Sequence, residues 1–207
     1  LLKSLFSECN KNVMLTNKYI FENNNLFIRY VWALLLLTLA IFLDVFTMVN
    51  SIYILFRLNL NIRISLNYLL QLSIGIISTK LSNSINISDQ GIVQSVISLF
   101  ASTNESINSH ICRKLLVKKY LPRYIIKTEL SDLVSYRRLE NRNDRVHSRM
   151  YKSGINGQYW INYVKSLTIV EDLLSGLDIK LIRIDTNCNF EGLNLKVLDV
   201  YQLISMN

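Results

Sequence analysis

The chain has 207 residues, half of them hydrophobic, with one proline and six glycines. That composition excludes wholesale disorder, collagen-like repeats and glycine-rich linkers, and it favours long helices over a many-turned sandwich. A formal net charge of +8 directs attention to anionic partners, nucleic acid or a lipid surface. Asn, Ile, Leu and Ser are heavily used while Ala, Gly and Pro are scarce, the bias expected of an AT-rich genome. Leu1 in place of Met fits a trimmed fragment or a nonstandard start codon, and with that bias it points to an organelle-encoded chain.

Residues 1–29 mix short apolar groups with Lys and Asn and read as a preamble, one modest helix ending before Asn23-Asn24-Asn25. Residues 30–56, YVWALLLLTLAIFLDVFTMVNSIYILF, are the most apolar and least interrupted stretch of the chain. At about 1.5 Å per residue such a helix reaches roughly 40 Å against a hydrocarbon core of ~30 Å, so the spacing predicts one tilted transmembrane anchor and has no room for two. Tyr30 and Trp32 stand where interfacial aromatics stand, and Arg29 and Arg57 bracket the segment. The competing reading is a central helix of a large soluble core, because Asp44, Asn50 and Ser51 interrupt the second half. Asp44 is the membrane-embedded polar candidate: an ionisable group in a bilayer is costly unless it is paired or near water. The apolar run begins too far into the chain, and is too long, for a secretory signal.

Residues 57–112 read as an apolar helical region with polar loops. In LNLNIRIS (58–65) Leu and Ile alternate with Asn, Arg and Ser, the period of a half-buried strand or an interfacial segment. Asn67–Ser78 and Gly91–Ala101 read as short apolar helices, with Ser/Asn-rich loops at 80–90 and 102–110.

From Arg113 the character changes, and residues 113–207 read as a basic α+β domain. Between Arg113 and Lys152 twelve Lys or Arg face only Glu129, Asp132, Glu140 and Asp144, a net of +8 that is the whole charge of the chain. Pro122 marks a turn, and Thr128-Glu129 before LSDLV resembles an N-cap with an acidic first turn. Arg138, Arg142, Arg145, Arg149 and Lys152 are spaced four, three, four and three apart, so a helix there carries one basic stripe. With Arg137 these form the candidate site for an anionic partner, RNA or lipid. Trp160 to Leu177 follow helical spacing, with Gly176 placed to stop the helix. Ile179–Ile184 and Leu193–Tyr201 read as strands of a terminal antiparallel β-hairpin. The expected fold is mainly α, with one N-terminal transmembrane helix, short apolar helices and a small C-terminal α+β lobe.

Catalytic candidates are few. His110 and His147 lack a partner nearby in sequence, and Glu171-Asp172, the only adjacent acidic pair, points its side chains about 100° apart on a helix. Cys9, Cys112 and Cys188 are odd in number, far apart and without CxxC spacing, so neither a disulfide framework nor a zinc site is expected, and the compartment reads as reducing. Neither the basic helix nor the terminal hairpin carries a family signature. The expectation is a noncatalytic, membrane-anchored subunit of a mitochondrial inner-membrane complex, respiratory chain or ATP synthase, that takes no cofactor and meets other subunits and membrane lipids. The alternative is an organellar ribosomal protein in the matrix, binding rRNA through residues 113–152.

Overall fold

The computed structural model describes residues 13–15, 26–81, 85–87, 91–102, 108–129, 154, 157–177 and 179–185. The chain divides into two compact units, one spanning residues 10–121 and the other built from Pro122 onward. Among the described residues six α-helices dominate, and every strand belongs to one of two small parallel pairs.

In the first unit, β1 (Val13–Leu15) pairs in parallel with β2 (Ile85–Ile87). The apolar run between them in sequence forms two helices, α1 (Leu26–Leu43) and α2 (Val45–Arg57). The expected single span is therefore corrected. Asp44 lies between the helices at φ −156° and ψ 74°, and the two axes are bent by 118°. No single helix among the described residues is long and apolar enough to cross a membrane. The cause is local: the Asp44 amide still donates to Ala40 at 2.9 Å, completing α1, while its carboxylate accepts from the Thr47 amide at 3.1 Å and starts a new helix. An aspartate followed by a β-branched valine, with threonine three residues on, offers the backbone this cap in place of a continuous helix.

The alternation at 58–65 does not make a strand. Leu58 caps α2, Asn59 takes the left-handed conformation at φ 45°, and α3 (Ile62–Leu81) begins immediately after Asn61. Asparagine tolerates that conformation better than most side chains. The Asn61 side chain then accepts from the Arg63 amide at 2.9 Å, so both asparagines serve a helix–turn–helix junction instead of a sheet.

Helix α3 is the hub of this unit, packed by α1, α2, α4 (Ile92–Ala101) and a 3₁₀ turn at Lys118–Tyr120. It is longer at both ends than the helix read from 67–78. Tyr68, Leu72 and Ile76 are fully buried, and the Tyr68 hydroxyl donates to the Leu115 carbonyl at 2.8 Å. Gly75 permits a close approach, since a Cβ there would stand 2.9 Å from Ile92 Cδ1 and 3.4 Å from the Tyr120 carbonyl oxygen. Helix α4 forms where the apolar run predicts it and buries most of its residues. Helix α5 (Ser109–Leu115) starts inside the segment read as a loop, because Asn108 caps it through the His110 and Ile111 amides. Residues 113–121, grouped by charge with the C-terminal region, pack within the first unit.

The second unit pairs β3 (Tyr124–Glu129) with β4 (Lys180–Asp185) in parallel, Ile126 opposite Ile182. Thr128 and Glu129, read as a helix start, are the last residues of β3. Their β-branched predecessors, Ile125 and Ile126, extend the chain, and the pairing with β4 runs through Asp185. The strand expected at 179–184 is present, but its described neighbour is parallel, not the antiparallel arm of a hairpin, and Leu193–Tyr201 lies outside the described residues. Helix α6 (Gln158–Ser175) packs on β4 and stops at Gly176, as its spacing predicts.

Candidate functional site

Two features of the first unit combine into a candidate site: an exposed apolar surface on α1 and α2, and a polar node at the break between them.

Helix α2 is apolar on both faces. Thr47, Met48, Ser51, Ile54 and Leu55 turn inward at helical spacing, leaving Val45, Phe46, Val49, Tyr53 and Phe56 outside. Helix α1 likewise exposes Phe27, Tyr30, Leu34, Leu35 and Phe42. The phenylalanines nearest the break are the extreme case, Phe42 at 84% and Phe46 at 83% exposure, matched by Phe56 at 86% near the far end of α2. With aromatic side chains offering about 150–250 Å² each, these rings together expose an area comparable with the few hundred Å² of the largest apolar patch on a typical monomer, before the exposed aliphatic side chains of both helices are added.

The node gathers four side chains. Asp44 Oδ1 accepts from the Thr47 amide, and Oδ2 from the Thr47 hydroxyl at 2.7 Å, from the Lys119 ammonium and from the Tyr120 hydroxyl. The Asp44 side chain is 11% exposed and that of Lys119 56%, so the pair lies at the edge of the unit with its acidic end inward. Lys119 also stands 4.9 Å from the centre of the Tyr120 ring. The hydrogen bond to Asp44 holds the Lys119 ammonium above its ordinary range, and burial, then the same carboxylate, pushes the Tyr120 hydroxyl up. Negative charge at the first turn of α2 also complements the helix dipole. With both oxygens engaged, Asp44 acts as a structural anchor point rather than a free base.

Other candidates are placed as follows. Arg137, Arg138, Arg142, Arg145, Arg149 and Lys152 lie outside the described residues. His110 is exposed on α5. Cys112 is a buried free thiol, pushed up to about 12 by burial, and is therefore poorly nucleophilic. Glu171 joins a charge cluster on the second unit: it pairs with Lys127 and, at 2.8 Å, with Arg183, which also meets Glu129 at 2.9 Å. Lys127 and Arg183 are direct cross-strand neighbours, so the two carboxylates relieve a like-charge contact that would destabilise the sheet. Among the described residues no three His, Cys, Asp or Glu side chains gather as a metal site.

Sequence reasoning singled out Asp44 but not its partners. Lys119 and Tyr120 are 75 and 76 residues away, and no periodicity links them to the break.

Comparison with known proteins adds no relative: no family model matches the chain, and no curated protein or solved structure resembles it significantly.

Proposed function

We propose that the chain is a noncatalytic, membrane-anchored subunit of a larger assembly in a mitochondrial inner membrane, a respiratory-chain complex or ATP synthase. The observation that carries this reading is the apolar exposure of α1 and α2, present on both sides of their junction. Such a surface is stable when lipid or another apolar surface covers it. Helix α1, 18 residues long, extends about 27 Å, and α2, 13 residues long, about 20 Å. The pair therefore enters the bilayer as a bent unit, not as one tilted span. Pairing Asp44 with Lys119 lowers the cost of placing a carboxylate near hydrocarbon. The organellar assignment rests on composition, and the role as a subunit rests on an anchor joined to a unit in which Glu129 and Glu171 are held in ion pairs.

A second reading, an organellar ribosomal protein, is favoured by the concentration of the whole net charge in residues 113–152. Fractionation separates the two. A membrane subunit stays in the pellet through alkaline carbonate and high salt and migrates with one complex after mild detergent. Release without detergent ends the anchor reading, and sedimentation with a ribosomal subunit after detergent establishes the alternative.

A further inference from the structure

Asp44 is the sole carboxylate among the described residues of the first unit, and Lys119 neutralises it. Arg113, Lys114 and Lys118 belong to the same short run of chain and are all exposed. None of them pairs with a carboxylate among the described residues. Their position is fixed by contacts on either side. Helix α5, which carries Arg113 and Lys114, packs on α2. The 3₁₀ turn that begins with Lys118 is fastened to the break through Lys119 and Tyr120. Lys118 thus lies beside the junction that exposes Phe42 and Phe46, with Arg113 and Lys114 on the short helix just before it.

We infer that this junction is a binding surface for anionic phospholipid, Arg113, Lys114 and Lys118 taking the headgroup phosphates while Phe42 and Phe46 enter the acyl region beside them. The inference rests on the membrane reading and deepens it by naming the lipid class and its contact residues. Long basic side chains suit this edge because their aliphatic stems lie along apolar surface while the charges reach the phosphates. RNA suits it poorly. Single strands are held by aromatics on which bases stack, whereas the rings here share their faces with Leu39, Val45, Val49 and Ile52, and Tyr120 is buried. A charge balance of three unopposed cations beside a hydrocarbon-like surface matches a bilayer rich in negative headgroups.

The test uses the full chain in bilayers, with a reporter tryptophan introduced by Phe46→Trp after Trp32→Phe and Trp160→Phe remove the native ones. Its fluorescence is quenched by brominated phosphatidylcholine or brominated phosphatidylglycerol, which gives the relative association of the two lipids at the junction. The expected result is a preference of several-fold for phosphatidylglycerol. In K114Q/K118Q the preference falls most of the way to equal quenching, while Arg63→Gln leaves it unchanged. Arg63 is the comparison cation because it lies about 18 Å along α3 from Gly75, which packs against the Tyr120 carbonyl in the turn that begins with Lys118. Lipids retained by the wild-type chain through detergent purification, identified by mass spectrometry, give the same answer without the tryptophan replacements. Equal quenching by both lipids, or a preference that persists in K114Q/K118Q, overturns the inference and leaves the anchor standing. Loss of retention on immobilised polyuridine with an unchanged lipid preference overturns it in favour of RNA. Absence of quenching by either lipid overturns the membrane reading as well.

Discussion

At the residue scale the structure turns on Asp44. Its carboxylate caps α2 and receives Lys119 and Tyr120, so two roles are superimposed on one side chain. Replacement by Ala removes both and is expected to cost at least the ~1 kcal/mol typical of a lost cap. Asp44→Asn keeps an acceptor for the Thr47 amide and is expected to cost less, and thermal unfolding in detergent ranks the two. Lys119 adds a pH dependence whose sign is fixed. Its value is raised in the folded chain above the ordinary 10.5, so the stabilisation it provides is complete below the unfolded value. It is lost as pH climbs through the higher folded one. The gap in melting temperature between wild type and Lys119→Met is therefore expected to be constant near neutrality and to close above about pH 10.5. Tyr68 titrates in both proteins, so its contribution largely cancels, whereas Tyr120, whose hydroxyl Lys119 helps hold down, is taken out of the comparison by making it in a Tyr120→Phe background. Asp44 was recognisable in the sequence as an interruption of an apolar run. Its partners were not, because hydropathy patterning reports on neighbours one or two turns away and carries no record of what folds back from 75 residues on.

At the element scale, the helices were legible where burial follows period and the turns were not. Gln158–Ser175 forms where its spacing places it, since one apolar stripe against one core is enough to specify a helix, and Ile92–Ala101 forms where the short apolar run lies. The run at 30–56 concealed a break because it is apolar on every side, so its pattern has no face from which a change of direction can be read. LNLNIRIS misled in the opposite way: its asparagines, at period two, are a left-handed turn residue and a helix cap. Strand β3 went unread because YIIKTE sits inside a basic segment whose charge drew the attention. The bend has a direct consequence. With axes deflected by 118°, helices of about 27 and 20 Å leave the far ends of α1 and α2 roughly 25 Å apart along their axes. A straight helix would separate them by roughly 45 Å. Spin labels at Phe27 and Phe56, both well exposed, read that distance by pulsed dipolar spectroscopy. The bent pair is expected to give the short distance, and Asp44→Leu, which deletes the cap, a broader distribution reaching toward the long one.

At the scale of the whole molecule, an apolar helical unit with a single described carboxylate is joined to a second unit whose described sheet and helix are laced by Lys127, Arg183, Glu129 and Glu171. The two differ in chemistry, but the charge boundary at Arg113 does not coincide with the boundary of the units at Pro122, and the basic stripe from Arg138 to Lys152 lies outside the described residues. The first unit's surface decides the account, because lipid and water make opposite demands on Phe42, Phe46 and Phe56. The most direct measurement places a nitroxide at each of these positions in turn, in the full chain reconstituted into bilayers, and compares its collisions with oxygen and with a polar nickel chelate. Oxygen concentrates in hydrocarbon and the chelate in water. The membrane account predicts that oxygen dominates at all three sites; the chelate dominating at all three would contradict it.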